Sequence, residues 1–596
     1  AAQEFYPYFS AYSYKYLGHF FAPNLIVWHR WTPAFFGIFA VLGMFLLVRQ
    51  LFGPYAGIAA SFLFSLSAPF ISRSVSGFAD SDAIMMFFTV FTFYLFIKTW
   101  DSGSFLFATI GGVCLGLFGI SWAAYTFAPL LMFGLIGFYA AYSIGTKFLT
   151  ENKNILVLVK EHFSENWKKY ASFAVLLIIG LFIVGLVRGT GHINVFSALK
   201  ATQIKVTEVA GFSAEGEEVR NVYKTVAEMN PATFREVVSR SHIAPFLLTI
   251  GFFALLPIGL WKRVKDHMHH VAFFSLWFAA TLFMSLKATR FIEMLIVPLS
   301  IFAGISIAFS LSKVSIKKPI ISIIICLSLF LTVFALPNLP SVKGWESGPA
   351  YYTTGTATAK QSGPSIGPNW YDFLAWARTE TKETDIFASW WDPGHVMTAI
   401  GERPSVADGS QNGAHVHDLA ITFTTTDESV AVERLKKYNV SYFYTSNDLI
   451  SKYGAISFLA SGSAEGYPFI YRSEMKETAS GMVLIYPVSE GVQVLLNLKP
   501  SGELAATLRQ GYQSQTIRKI FYYINGTGYV SEINDPDAVD AMLYLDPSFT
   551  QAIFLPPRLE GNMLTQLHFF NGQNLEHFEF VKQFGNEVKV FRVIYD

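Results

Sequence analysis

From residue 33 to residue 337 the chain alternates long apolar runs with short polar interruptions, and beyond about residue 346 it turns to segments of ordinary mixed polarity. A hydrocarbon core of about 30 Å needs roughly 20 mostly apolar helical residues to cross it. Ten stretches approach that requirement: 33–48, 54–72, 83–97, 104–120, 122–144, 171–187, 243–261, 269–287, 290–311 and 317–336. They predict a multi-pass α-helical membrane domain over residues 1–345. Later segments are shorter. "WYDFLAWART" and "SVAVERLKKY" place apolar residues at helical spacing, while "GMVLIYPV", "QAIFLPP" and "EVKVFRVIY" read as strands. The expectation is a soluble mixed α/β domain at 346–485 followed by a β-rich sub-domain at 486–596. The Gly/Ser/Thr/Pro-rich stretch "SGPAYYTTGTATAKQSGPSIGP" reads as a mobile tether between membrane and soluble parts. No internal repeat is visible.

Composition agrees with this division. The 596 residues are 52% hydrophobic and only 15% charged, whereas soluble domains are about a quarter charged. The mixed region, roughly 250 residues, is long enough for its own core. A net charge of +1 gives no global field to attract nucleic acid. Cys114 and Cys326 both lie in apolar spans, so disulfides are not part of the mixed region, which suits a prokaryotic surface better than a secretory lumen. The opening "AAQEFYPYFSAYSYKYL" has neither a basic start nor a short apolar core. It therefore does not read as a signal peptide, and the chain reads as beginning partway through a longer protein.

Lysine and arginine set the expected orientation. Five lysines fall in the 145–170 loop, Lys262, Arg263 and Lys265 in the next, and three lysines in "SKVSIKK" at 312–318. If ten spans alternate, these loops share one face, read as cytoplasmic. The opposite, outer face then holds 73–82, the long loop 188–242 and everything after 337.

Those outer segments carry the candidate chemistry. "SRSVSGFADSDAIMMFF" places Asp80 and Asp82 just before an apolar helix. One Asp there is explained as a cap at the positive end of a helix dipole. A second, in D-x-D spacing, suits hard oxygen ligation of a divalent cation such as Mg2+ or Mn2+. Glu228 sits in the long loop, and the plain reading of a lone loop Glu is a solvated carboxylate. Arg290 opens a membrane helix with Glu293 one turn deeper. Arg290 either snorkels to the interface or grips a lipid-linked phosphate by charge-assisted hydrogen bonds; Arg73 is a second candidate. Glu293 is expected to face the bundle interior or a partner. "HMHH" at 267–270 falls on the opposite face and is set aside.

"FASWWDPGHVMT" brings Trp390, Trp391 and Asp392 together. Indole N–H only donates and a carboxylate only accepts, while a hydroxyl does both. The set therefore suits a hydroxyl or sugar, unless the indoles are simply core and Asp392 caps a helix starting near Pro393.

Taken together, "SGFADSDA", "TVAE" at 225–228 and "WWDPG" at 390–394 resemble the catalytic subunit of oligosaccharyltransferase, the archaeal and bacterial family with a eukaryotic homologue. The likeness spans nearly the whole chain. The family's usual WWDYG has Pro393 in place of its Tyr. Its D-x-D matches Asp80 and Asp82, its T-I-x-E or S-V-S-E matches Thr225 to Glu228, and its two arginines match Arg73 and Arg290. A D-x-x-K helix resembles "NDLISKYGAI", with Lys452 and Ile456 at the expected spacing and Asp448 four residues before Lys452 instead of three. The family's first-loop motif, of the type "EFDPWFNYR", contributes a ligand Asp; here Tyr6 stands at that position and the first membrane helix is missing. Three readings of this stay open: Glu4 substitutes, the site has one ligand fewer, or the start of the chain is altered.

The resemblance implies a GT-C type membrane domain and a metal-dependent, inverting glycosyltransferase. It implies transfer of an oligosaccharide from a polyprenyl (dolichyl) phosphate or diphosphate to the asparagine of Asn-X-Ser/Thr in a polypeptide. Asp80, Asp82 and Glu228 are the implied catalytic and Mn2+- or Mg2+-binding residues, and Arg73 and Arg290 the implied phosphate binders. Trp390, Trp391, Asp392, Lys452 and Ile456 are implied to read the sequon. A single-subunit enzyme of the cell membrane is implied, with its C-terminal domain extracytoplasmic. A transferase acting on hydroxyl or lipid acceptors would keep D-x-D without needing WWD. A transporter would place its ionisable groups at mid-membrane and show repeats. The chain's own sequons, Asn439-Val-Ser and Asn525-Gly-Thr, are candidates for self-glycosylation.

Overall fold

Helix occupies most of each of the ten predicted apolar stretches where the computed structural model describes them; it describes residues 5–78, 80–151, 153–189, 227–256, 267–340, 347–361, 366–409, 414–479, 481–524 and 527–595. Glu4, Thr225, most of the 188–242 loop, the basic turn at 262–265 and the Asn525 sequon lie outside the described residues. The described residues fall into two compact units, a helical one up to residue 361 and a mixed one from residue 366.

Among the described residues of the helical unit, six helices are long and apolar enough to cross a membrane: Leu25–Phe52, Asp82–Ser102, Ala124–Thr150, Trp167–Arg188, Met268–Lys287 and Thr289–Leu311. Two more apolar segments are broken. Pro54–Leu66 and Ala68–Ser74 meet at 68°, and Phe234–Ser241 and Ile243–Ala254 at 104°. Phe105–Ser121 and Pro319–Phe334 are apolar but shorter.

Local chemistry explains the breaks. Pro69 fits the first turn of a new helix but cannot donate to an old one. At the second break His242 takes φ 71°. Its imidazole accepts the Ala244 N–H at 3.1 Å on Nδ1 and meets the Pro349 carbonyl at 3.1 Å on Nε2. The Ile292–Leu311 helix is buried along almost its whole length. It lies so close to the Pro54–Leu66 helix that a Cβ on Gly304 would come 2.5 Å from the Ala60 nitrogen. Close backbone approach through small residues is how helices pack in lipid.

The stretch expected to be a tether is instead helix over Tyr351–Gln361. Tyr351 donates to the Leu63 carbonyl at 2.5 Å, and a Cβ at Gly355 would collide with the Leu66 carbonyl. Its threonines bond carbonyls one turn back, as Thr356 does to Tyr352 and Thr358 to Thr354. Small and β-hydroxy residues that read as a linker therefore serve as a packing face.

In the mixed unit, a four-stranded sheet runs Phe578–Phe584, Val588–Val593, Val440–Ser446, Ile386–Ala388, the last two parallel. A nine-stranded, mostly antiparallel sheet is built from segments between Phe469 and Leu555. The expected boundary at 485/486 falls inside the Gly481–Ser489 strand, and the last two strands return to the first sheet. The β-rich part is thus enclosed within the α/β part, because the C-terminal strands pair with Val440–Ser446.

Candidate functional site

Three local features deliver the charged residues of the helical unit. The short Ala68–Ser74 helix ends on Arg73, and the turn after it is folded back by the Gly77 N–H donating to the Arg30 carbonyl at 2.9 Å. Asp82 opens the next long helix. Ala288 adopts extended backbone after Met268–Lys287, and the turn Thr289–Phe291 then presents Arg290 before the Ile292–Leu311 helix. Thr289 ties in Glu228: its N–H donates to the Asn230 carbonyl and its hydroxyl to the Glu228 carbonyl, both at 3.1 Å.

These residues form one ion-paired cluster. Arg73 Nη1 lies 3.4 Å from Asp82 Oδ2, its Nε 2.7 Å from Glu293 Oε1, and its Nη2 pairs with Glu228 Oε1. Arg290 reaches Asp82 Oδ1 at 3.3 Å and Glu228 Oε2 at 3.7 Å. The Arg73 guanidinium also stands 4.9 Å over the Phe78 ring. Pairs separated by 155 and 208 positions are thereby brought together. Asp82 does not act as a cap: Ser81 holds the N-cap position and makes no side-chain cap bond. Asp80 is exposed and accepts the Ser81 N–H at 2.6 Å. Its charge nevertheless bears on Asp82 and Arg290. Glu293, weighed from sequence as an interior partner, belongs to the cluster, and its Oε2 is buried with no partner.

The donor set fits a hard divalent cation in kind: every ligand-type atom is a carboxylate oxygen, and four carboxylates face two guanidiniums. In the arrangement observed, arginines occupy the oxygens of Asp82 and Glu228. Among the described residues, the group of three ligand-type side chains close enough for one ion lies elsewhere, at Asp101, His269 and His270. Tyr6, at the position of the expected ligand, is buried and shares a 2.6 Å hydrogen bond with Thr32 Oγ1. Burial pushes its phenol well above the usual range, so it stays neutral and is no substitute for a carboxylate.

In the mixed unit the WWD residues follow the Ile386–Ala388 strand, and Asp448–Ser461 follows the parallel strand Val440–Ser446. Loops at the carboxyl ends of adjacent parallel strands converge, which is where open α/β sheets bind ligands. Lys452 Nζ bridges Asp392 Oδ1 at 3.2 Å and Asp448 Oδ2 at 2.8 Å. The four-residue spacing of Asp448 thus puts it on the same helix face as Lys452; this partner was discounted from sequence although the i, i+4 signal was present. Trp390 is buried in the core, and Trp391 is half-buried. Trp391 Nε1 and Asp392 Oδ2 are buried with no partner, as are Ser389 Oγ and Tyr444 Oη. Burial pushes the Asp392 carboxyl up, against the Lys452 ammonium, which pulls it down. Ile456 does not reach this patch's surface; it is fully buried in the core beneath.

The Asn439 sequon sits in a tight turn with φ 51°. Val440 begins a strand, and Ser441 Oγ accepts the Ile386 N–H at 3.2 Å.

A helical domain with several spans long and apolar enough to cross a membrane and a carboxylate–guanidinium cluster at its helix ends, joined in sequence to an α/β domain bearing a donor–acceptor patch, defines a multi-pass membrane protein with a mixed α/β domain. The chain belongs to the STT3 family: "Oligosaccharyl transferase STT3, N-terminal" matches residues 3–339. It is 24% identical over 513 residues to a dolichyl-phosphooligosaccharide-protein glycotransferase of Methanococcus voltae, covering 72% of this chain and 55% of that protein. The fold is similar to archaeal oligosaccharyltransferase AglB from Archaeoglobus fulgidus in complex with an inhibitory peptide and a dolichol-phosphate. The TM-score there is 0.62 at 17% identity, over 96% of this chain and 70% of that one. A second structure of the Archaeoglobus enzyme, with Zn and sulfate, matches with TM-score 0.59 at 16% identity, over 97% and 70%. The chain spans about half the length of the curated relatives it matches.

Proposed function

We propose that the protein transfers an oligosaccharide from a dolichyl or related polyprenyl phosphate or diphosphate to the asparagine of Asn-X-Ser/Thr in an acceptor polypeptide. The observation that carries this reading is the cluster in which Arg73 and Arg290 hold Asp82 and Glu228. An amide nitrogen is a poor nucleophile, because its lone pair is delocalised into the carbonyl. Carboxylates that each accept one N–H of the amide orient it and weaken that conjugation. Asp82 and Glu228 take that role once the arginines turn to phosphate oxygens. Arg73 and Arg290 are the groups that grip the lipid-linked phosphate. Attack in line with the departing phosphate inverts the sugar carbon. Asp80, Asp82 and Glu228 would hold a divalent ion, Mn2+ or Mg2+, and such an ion supplies positive charge to the leaving phosphate. Support for a divalent metal and for the two substrates comes from the relatives solved with Zn and sulfate and with peptide and dolichol-phosphate.

Trp391 Nε1 and Asp392 Oδ2 read the sequon hydroxyl, one donating and one accepting. The cluster and the sequon reader act on the outer side of the membrane, and one subunit suffices.

The test mixes purified protein, labelled lipid-linked oligosaccharide, Mn2+ and a fluorescent Asn-X-Thr peptide. Glycopeptide is the expected product. Its absence with both the natural chain and Tyr6→Asp, in protein that still binds the peptide, overturns the reading.

A further inference from the structure

The two helices that frame the charged cluster also meet at their other ends. Asp82–Ser102 ends one residue past Asp101, and Met268–Lys287 begins with His269 and His270 in its first turn. At about 1.5 Å per residue, Asp101 lies about 28 Å along the helix from Asp82. Asp101 Oδ1 is 3.1 Å from His270 Nε2, the His269 and His270 rings are 3.9 Å apart, and one ligand atom from each of the three side chains lies within 4.8 Å of the others.

We infer that Asp101, His269 and His270 form a transition-metal site, separate from the charged cluster. Three features support it. Two imidazoles and one carboxylate are the donor set of a borderline divalent ion such as Zn2+ or Co2+, with remaining positions left to solvent. His270 is only 1% exposed, and its Nδ1 is buried without a partner. An isolated Asp101–His270 pair leaves that atom unexplained, whereas a ring turn that brings a nitrogen onto a metal gives the imidazole two uses. Finally, the charges are placed for a cation. Asp101 stands in the last turn of its helix, where the negative end of the dipole favours positive charge; the Lys169 ammonium of the Trp167–Arg188 helix acts on Asp101 and His269 and is a repulsion that a bound ion overcomes through its three ligands. Asp101 is the exposed member, at 42% side-chain exposure, so the site opens to solvent. An ion bound there clamps the ends of the two helices.

Full-length protein in detergent, stripped by chelator and titrated with Co2+, tests this. The expected result is one Co2+ with visible ligand-field bands, displaced by Zn2+. His269→Gln and Asp101→Asn are expected to weaken that binding at least about tenfold, while Asp82→Asn leaves the bands in place. Zn2+ is also expected to raise the thermal midpoint of the natural chain and not that of His269→Gln, which separates metal loss from misfolding. Bands that are absent, that persist in both triad variants, or that vanish with Asp82→Asn overturn the inference. Each of these readouts is independent of glycan transfer.

Discussion

Asp82 and Asp392 are both carboxylates withdrawn from water, yet their surroundings differ. Each oxygen of Asp82 faces an arginine, and the same arginines hold Glu228. Asp392 has one oxygen on Lys452, and the other is buried and unpaired, as is the indole N–H of its sequence neighbour Trp391. A buried polar atom without a partner costs roughly 1–3 kcal/mol, so the second arrangement stores an unmet demand that one hydroxyl satisfies. The first stores none of that kind at Asp82, and its carboxylates become available only when the arginines take other anions. On the proposed reading, recognition is built in advance and chemistry waits for the donor.

The strongest attempt to break this contrast is made at Asp392. The natural chain is expected to favour Asn-X-Thr over Asn-X-Val peptides by about 10⁴ in kcat/KM, as sites built to bond a hydroxyl do. Asp392→Ala should collapse that ratio to about tenfold or less; a ratio that survives assigns hydroxyl reading elsewhere. Next, Asp82→Asn should lower the transfer rate by about 10²–10³, with peptide affinity unchanged in a binding assay. A drop in affinity instead would make Asp82 part of recognition.

Lys452→Met sharpens the comparison through pH. Burial raises the Asp392 pKa and Lys452 lowers it. The hydroxyl-accepting form is the carboxylate, so peptide affinity is full above that pKa and is lost as pH falls through it. Without Lys452 the loss should begin at higher pH, with KM up about tenfold at neutral pH; an unshifted acid limb counts against the bridge. The smallest effect is predicted at Ile456. Ile456→Val should lower the thermal midpoint by the equivalent of about 0.5–1.5 kcal/mol and leave the Thr-over-Ser preference alone. A changed preference would place Ile456 in the peptide groove after all.

Helix positions were legible because apolar runs of membrane length have few alternatives. Their breaks were not. His242 at positive φ depends on bonds to Ala244 and Pro349, the latter more than a hundred positions away. The cluster was legible by residue type, since Asp80, Asp82, Glu228, Arg73, Arg290 and Glu293 were all singled out, but nothing local says that Arg73 spans three carboxylates. Spacing was incomplete at Ile456: it shares the helix face of Lys452, one turn further on, yet there the face is already covered by the core. Composition misled at 351–361, where glycine and threonine served close packing. Asp101 carried no signal, because its partners arrive from 169 positions away.

The Asn439–Ser441 turn has a consequence for biosynthesis. Its hydroxyl is committed to a neighbouring strand and its valine is sealed in the core. Given the proposed reaction, a glycan can be attached there only while the nascent chain is still open. Folding and modification compete for the same three residues, and whichever is faster during export decides the outcome. Occupancy at Asn439 would then act as a clock, recording how long that sheet took to close.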